Sequence, residues 1–196
     1  MSTTGLFDPL FGEVRSALST IDDPMITSFT ALLDRSMGAT PVLGPTRFPL
    51  GDVPDFTAHA TDETIELARA LRDASDEINW WQSDPDRVPP GWVHRSAATE
   101  LIGPEGIVRG EQDARLGVFY LSPHLDYPDH WHNAEEFYFV VSGSAEWTIS
   151  NSTNRYGPGD YPRTPSGATH RIVTASEPML AIWGWSGDTS FDSYAY

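Results

Sequence analysis

The chain has no cysteine. Disulfides, thiolate metal ligands and a cysteine nucleophile are excluded together. Positive charge is scarce as well: 12 Lys and Arg stand against 28 Asp and Glu, for a net charge of −16. Such a surface repels a phosphate backbone, so nucleic acid is not an expected partner. The acidity is read as a solubility feature. No stretch approaches the ~20 apolar residues that span a bilayer, and no membrane partner is expected. The N-terminal MSTTGLFDPLFGEVRSALST lacks a basic region ahead of an apolar core, so a signal peptide is not expected and a cytoplasmic location is the default. Internal repeats and low-complexity segments are also missing.

What is present is 196 residues, 39% hydrophobic, with 16 glycines and 16 prolines. That is enough to bury a sizeable core in one unit, and the Gly/Pro content favours turn-rich β architecture. Residues 1–95 are expected to form a helical extension and linker that pack on a β domain at 96–196. Leu10, Val14, Leu18 and Ile21, then Met25, Phe29, Leu32 and Leu33, recur at helical spacing. Thr61 is expected to cap a third helix, with Asp62 and Glu63 in its first turn and Ile65, Ala68, Leu71 and Ile78 as its buried stripe. Thr40 to His59 reads as a loop. Trp80, Trp81 and Trp92 mark a linker that wraps rather than dangles, and packing between helices and sheet is expected of them ahead of lining the pocket.

From Ser96 the pattern changes to short strands, read as Ala98–Ile102, Ile107–Glu111, Leu116–Leu121, Glu136–Val141, Ala145–Ser150, Asp160–Arg163, Thr169–Thr174 and Met179–Trp185. Turn signals such as Ser142-Gly143 and Ser166-Gly167 separate them, which argues for a sandwich or barrel. The tail Ser186 to Tyr196 reads as a surface strap that Phe191, Tyr194 and Tyr196 tie down.

The most informative stretch is Tyr120 to Gly143, YLSPHLDYPDHWHNAEEFYFVVSG. His130 and His132 are two apart, as are Glu136 and Tyr138, so each pair shares a face if its segment is extended. His170, further on, is the fourth candidate ligand. Imidazole and carboxylate together suit Zn, Fe, Mn, Ni or Co and leave positions open for a substrate. His59, His94 and His124 carry no such pattern and are read as structural or surface residues.

These residues resemble the motifs of the cupin superfamily. The first motif ends H-x-H, three or four residues, E, six residues, G, and His130, His132, Glu136 and Gly143 match it. The second is G, five residues, P-x-G, two residues, H, matched by Gly159, Pro165, Gly167 and His170. Two positions depart: His124 stands where the first motif has Gly, and Thr174 where the second ends in Asn. The resemblance implies a mainly β protein, a cupin jelly-roll barrel around a central cavity, here with an N-terminal helical extension.

Helices before a C-terminal cupin, with HWHNAEEFYFVVSG and an upstream Tyr127, are similar to the cupin-type dimethylsulfoniopropionate lyases of the DddQ kind. That likeness implies a metal-dependent carbon–sulfur lyase releasing acrylate and dimethyl sulfide from a small zwitterionic substrate. It implies one divalent transition metal ion, Zn, Fe or Mn, on His130, His132, Glu136 and His170. Tyr138 is then the first candidate for the base and Tyr127 the second, otherwise orienting substrate. Trp183 and Trp185, two apart on one strand face, are expected to meet the sulfonium, and Tyr120 to line the same cavity. A cupin dioxygenase using Fe(II), or a cupin that binds a ligand without turnover, carries the same ligand set. The sequence leaves monomer and homodimer both open.

Overall fold

The structure is a computed structural model and describes residues 3–44, 47–83, 85, 91–110 and 112–196. Glu111, which ends the expected second strand, and residues 84 and 86–90 of the tryptophan-rich linker lie outside these.

Helices α1 (Asp8–Leu18), α2 (Pro24–Ser36) and α3 (Ile65–Ala74) come first. Asp23 starts α2: its carboxylate accepts from the Met25 N–H at 2.8 Å, and Pro24 supplies a first residue whose missing N–H costs nothing there. The third helix differs from the expectation. It begins at Ile65, so Asp62 and Glu63 precede it, and Thr64 rather than Thr61 stands at its cap. The Thr64 hydroxyl accepts from the Thr61 N–H at 3.1 Å, which turns the chain before the helix. Ile78 is fully buried, as expected, but lies beyond the helix end.

The strands are β1 (Ser96–Gly103), β2 (Val108–Arg109), β3 (Ala114–Leu121), β4 (Asp126–His130), β5 (Glu135–Ile149), β6 (Ser152–Tyr156), β7 (Arg163–Thr164) and β8 (His170–Ser186). They form one eight-stranded sheet along β2-β1-β3-β8-β5-β6, with β4 joined to β8 and β7 to β5. The expected β-dominated, cupin-type barrel with helices ahead of it is what forms. β4 and β6 were not expected. DYPDH and STNRY carry a proline and polar residues instead of an apolar run, so only pairing with β8 and β5 makes them strands.

β5 and β8 each absorb two of the expected strands, and β5 turns its corner at Ser142-Gly143, where the sequence signalled a turn. Gly143 has φ +72°, and a Cβ there would lie 1.7 Å from the Pro178 carbonyl oxygen. Opposite it, the register jumps from Gly143↔Met179 to Ala145↔Thr174, so residues 175–178 have no partner on β5. The hairpin is thereby folded over on itself. Thirteen residues of straight strand would separate Glu136 from Ile149 by about 40 Å. Instead His170, the cross-strand partner of Ile149, places its Nε2 3.1 Å from Glu136 Oε2.

Each long strand has two dressed faces. On β3 and the first half of β5, Val118, Tyr120, Phe137, Phe139 and Val141 join the helices in one buried cluster. Phe119, Tyr138 and Val140 belong to a second cluster inside the barrel. Phe29 of α2 meets Phe137 edge-on at 5.1 Å. The helices therefore cover one face of the sheet and leave the other to the cavity. Trp80 packs under that cover, 5.1 Å from Phe48, whereas Trp81 and Trp92 line the cavity. Among the described residues no helix is long and apolar enough to cross a membrane.

Gly143→Ala places a Cβ against backbone and forces a left-handed φ on an L-residue. We expect a cost of about 2–4 kcal/mol, seen as a melting temperature lowered by roughly 5–15 °C in a thermal scan.

Candidate active site

Cross-strand register builds the site. His130 on β4 sits opposite His170 on β8, with ring centroids 3.9 Å apart. Glu136 sits opposite Trp185, and Tyr138 opposite Trp183. Side chains of directly opposed residues meet on one face, so three neighbouring pairs deliver six functional side chains. His132 follows β4, and its ring lies 4.3 Å from that of Trp185.

The three imidazoles form a buried group whose ligand atoms all lie within 4.8 Å of one another. Each holds its Nδ1 against a backbone carbonyl: His130 to Pro128 at 2.8 Å, His132 to Ala134 at 3.1 Å, His170 to Ala168 at 3.0 Å. A carbonyl only accepts, so Nδ1 carries the proton and Nε2 is left as a lone pair facing inward. Glu136 Oε2 lies 3.4 Å from His132 Nε2 and 3.1 Å from His170 Nε2. All three of these atoms are buried, and among the described residues none of them has a hydrogen-bond partner. The other carboxylate oxygen, Oε1, accepts from the Trp185 indole N–H at 2.6 Å.

Buried acceptors turned toward one another are costly unless something positive lies between them. The donor set fits a divalent transition metal: three neutral imidazole nitrogens and a carboxylate, with the far side of each imidazole fixed. Burial and the neighbouring His170 push the His130 pKa down to about 3, so its lone pair is free at neutral pH. Burial alone would raise Glu136, but the ring nitrogens of His132 and His170 outweigh it and keep the carboxyl well below its usual range. His170 moves the other way: burial disfavours its charged form, and the Glu136 carboxylate more than offsets that.

A cavity of about 420 Å³ opens beside these groups, within the size range of small-molecule sites. Its walls include Phe119, Tyr127, Glu136, Tyr138, Trp183 and Trp185. Tyr127 stacks on His130 at 4.2 Å and 25°. The Trp183 indole donates to the Val118 carbonyl at 3.3 Å and lies over Gly117, where a Cβ would strike it at 2.6 Å. Burial first, then the Glu136 charge, raises the Tyr138 phenol well above its ordinary pKa; Tyr127 is likewise raised, mainly by burial.

The geometry brings together His130, His132, Glu136, His170, Tyr127, Tyr138, Trp183 and Trp185. It does not bring Tyr120, which was expected in the cavity. On β3 successive side chains point to opposite faces, and Phe119 takes the cavity side. Tyr120 points under the helices, 5.5 Å from Phe48 and 6.2 Å from Phe56. The motif departures also find reasons. His124 has φ +54°, a left-handed backbone that glycine adopts at least cost. The Thr174 hydroxyl accepts from the Leu125 N–H at 2.9 Å and donates to the Ser122 carbonyl at 2.7 Å, tying down the entry to β4.

Residues 45–181 match the family model for dimethylsulfoniopropionate lyase. The chain belongs to this family. It is 31% identical over 186 residues to the dimethylsulfoniopropionate lyase DddQ of Ruegeria pomeroyi, covering 92% of this chain and 91% of that one. The crystal structure of the DddQ lyase from Ruegeria pomeroyi superposes with a TM-score of 0.77 at 29% identity, over 94% of this chain and 92% of the other. A structure from the study of the lyases RdDddP and RnDddQII matches over 96% of both chains, with a TM-score of 0.72 and 28% identity.

Within this family member, sequence patterning missed Trp81, Trp92, Phe191, Tyr194 and Tyr196 as cavity walls. They lie before β1 and after β8, where neither periodicity nor motif reaches. The aromatic density of the linker and tail was the one available signal.

Divalent metal is expected to bind the purified protein at one ion per chain by elemental analysis. At a free concentration near 100 times Kd the added stability is about 2.7 kcal/mol, roughly 5–10 °C in melting temperature. A chelator should reverse it, and His170→Ala should abolish both the ion and the shift.

Proposed function

We propose that this chain is a metal-dependent lyase that cleaves dimethylsulfoniopropionate to acrylate and dimethyl sulfide. Family membership supports the activity, and the observation that carries the chemistry is the set of inward-facing acceptors beside an aromatic cavity. His130, His132, His170 and Glu136 would hold the ion. When bound, the ion supplies Lewis acidity toward the substrate carboxylate and positive charge beside the Tyr138 phenol.

The remaining work falls to the protein. The substrate proton to be lost is on the carbon next to the carboxylate and is only weakly acidic. Tyr138 takes the part of the base as the phenolate, the form that a cation held beside it would favour against the effect of burial. Its oxygen accepts that proton and becomes the neutral phenol, the electron pair forms the new C=C bond, and the bond from carbon to sulfur breaks. Dimethyl sulfide leaves with the sulfur lone pair, and acrylate remains. Tyr127 is the second candidate for the base and otherwise orients the substrate. Trp185 and Trp183, 5.8 Å apart and edge-on, offer aromatic faces to the sulfonium, which suits an onium group. The Trp185 N–H on Glu136 Oε1 fixes the carboxylate and the indole relative to each other. The buried walls limit water at the reacting carbon.

We further read residues 1–95 as an extension that packs on residues 96–196 to make one structural unit, working in the cytoplasm on a freely diffusing substrate. The mixed cluster of helix and sheet residues supports the packing.

Protein loaded in turn with Zn, Fe and Mn is expected to release dimethyl sulfide, read by headspace gas chromatography, without consuming oxygen. Tyr138→Phe should lower that release by about 10²-fold or more while retaining the metal. Absence of release from the wild type with every metal would refute the proposal, and oxygen uptake would point to a dioxygenase.

A further inference from the structure

The segment after β8 lines the cavity through Phe191, Tyr194 and Tyr196 and is fastened along its length. Arg115, itself paired with Glu100 at 2.7 Å in a buried setting, donates from Nε to the Thr189 carbonyl at 2.9 Å. Asn133 donates its backbone N–H to Ser193 Oγ at 3.1 Å and its side-chain amide to Asp188 at 2.9 Å. Trp131 and Ala195 exchange backbone hydrogen bonds at 2.9 and 3.0 Å. Trp131 and Asn133 alternate with His130 and His132, so the strap is hydrogen-bonded to the backbone of the ligand-bearing segment.

Between these fastenings the Tyr194 side chain enters the cavity. Its ring lies 5.2 Å from that of His130 at 19°, and 5.9 Å from that of His132 at 24°. Its hydroxyl hydrogen-bonds the hydroxyl of Tyr127. Tyr127 is already held by stacking 4.2 Å from His130 and by the tilted ring of Trp92 at 4.4 Å. What stacking leaves free is rotation of the Tyr127 O–H, and that is what a second hydroxyl fixes. A strap that merely covered the barrel would be served equally well by phenylalanine.

We infer that Tyr194 is a positioning residue of this site, setting the direction of the Tyr127 hydroxyl toward the bound substrate. The inference rests on the lyase reading above. It assigns turnover a requirement from the C-terminal strap, outside the segment that carries the metal ligands.

The test compares Tyr194→Phe, Tyr127→Phe and the double variant, each metal-loaded, with melting temperature and metal content recorded alongside dimethyl sulfide release. Tyr194→Phe should lower kcat by roughly tenfold, the size of one lost hydrogen bond in the transition state. KM should hold within about twofold, and metal content should equal wild type. In the Tyr127→Phe background the second substitution should cost nothing further, because the interaction is already gone. Wild-type kcat in Tyr194→Phe, equal losses in both backgrounds, or loss of metal and stability in step with activity would each overturn the inference. An inactive wild type is a separate outcome, because it refutes the lyase reading itself.

Discussion

Three lone pairs with no donor to meet them set the terms for the rest of this structure. The Nε2 atoms of His132 and His170 and Oε2 of Glu136 face one another in a space without solvent access. Each imidazole has its proton committed to a carbonyl on its far side, so no reorientation of the ring relieves the crowding. Two remedies exist. A proton on His170, drawn by the Glu136 carboxylate, satisfies one contact. A divalent cation satisfies them all, and the Nδ1 partners give each ring the fixed orientation that a ligand needs.

The fold can be understood as what it takes to reach that arrangement. Ligands separated by up to forty positions converge because β5 and β8 form a hairpin long enough to double back. The corner works because one residue accepts a positive φ and a carbonyl pressed against its Cα, while four residues on the opposite strand are released from pairing. A second glycine, Gly167, closes the other end: its N–H donates to the His132 carbonyl at 2.9 Å. The loop before His170 is thus tied to the segment bearing His132, and ligands from separate hairpins share one hydrogen-bonded support.

How much of this was legible in the sequence follows from how far each signal reaches. The spacing of His130, His132, Glu136 and Tyr138 encodes local geometry, and period-two alternation is a backbone property, so those four side chains could be placed without coordinates. Alternation also gives relative faces only, never which face is inward. Tyr120 illustrates the limit. It shares the apolar character of Phe119, and only the position of the helices determines which of the two sees the cavity. The third helix shows another: Thr61 and Thr64 both have the chemistry of a cap, and the turn between them decided the start. β4 was invisible because its strand character comes from its partner β8. Tyr194 was invisible as a site residue because a tail has no periodicity from which to infer its destination.

The separation of the two faces also explains how a site with unpartnered buried acceptors is held in place. Phe137 and Tyr138 are adjacent in sequence, yet Phe137 contributes to the layer beneath the helices and Tyr138 to the cavity. Apolar burial, worth about 25 cal/mol per Å², is concentrated on the convex side, where Leu33, Leu71, Ile78 and Phe137 are fully buried. The concave side is then relieved of the need to be the most stable packing available. It can hold uncompensated acceptors, phenols displaced from their ordinary pKa and an aromatic cavity, because the opposite face of the same strands fixes their backbone. The helices pack on the opposite face of the sheet, with Phe29 of α2 against Phe137, and their contribution to the site is the rigidity of the sheet that carries the ligands.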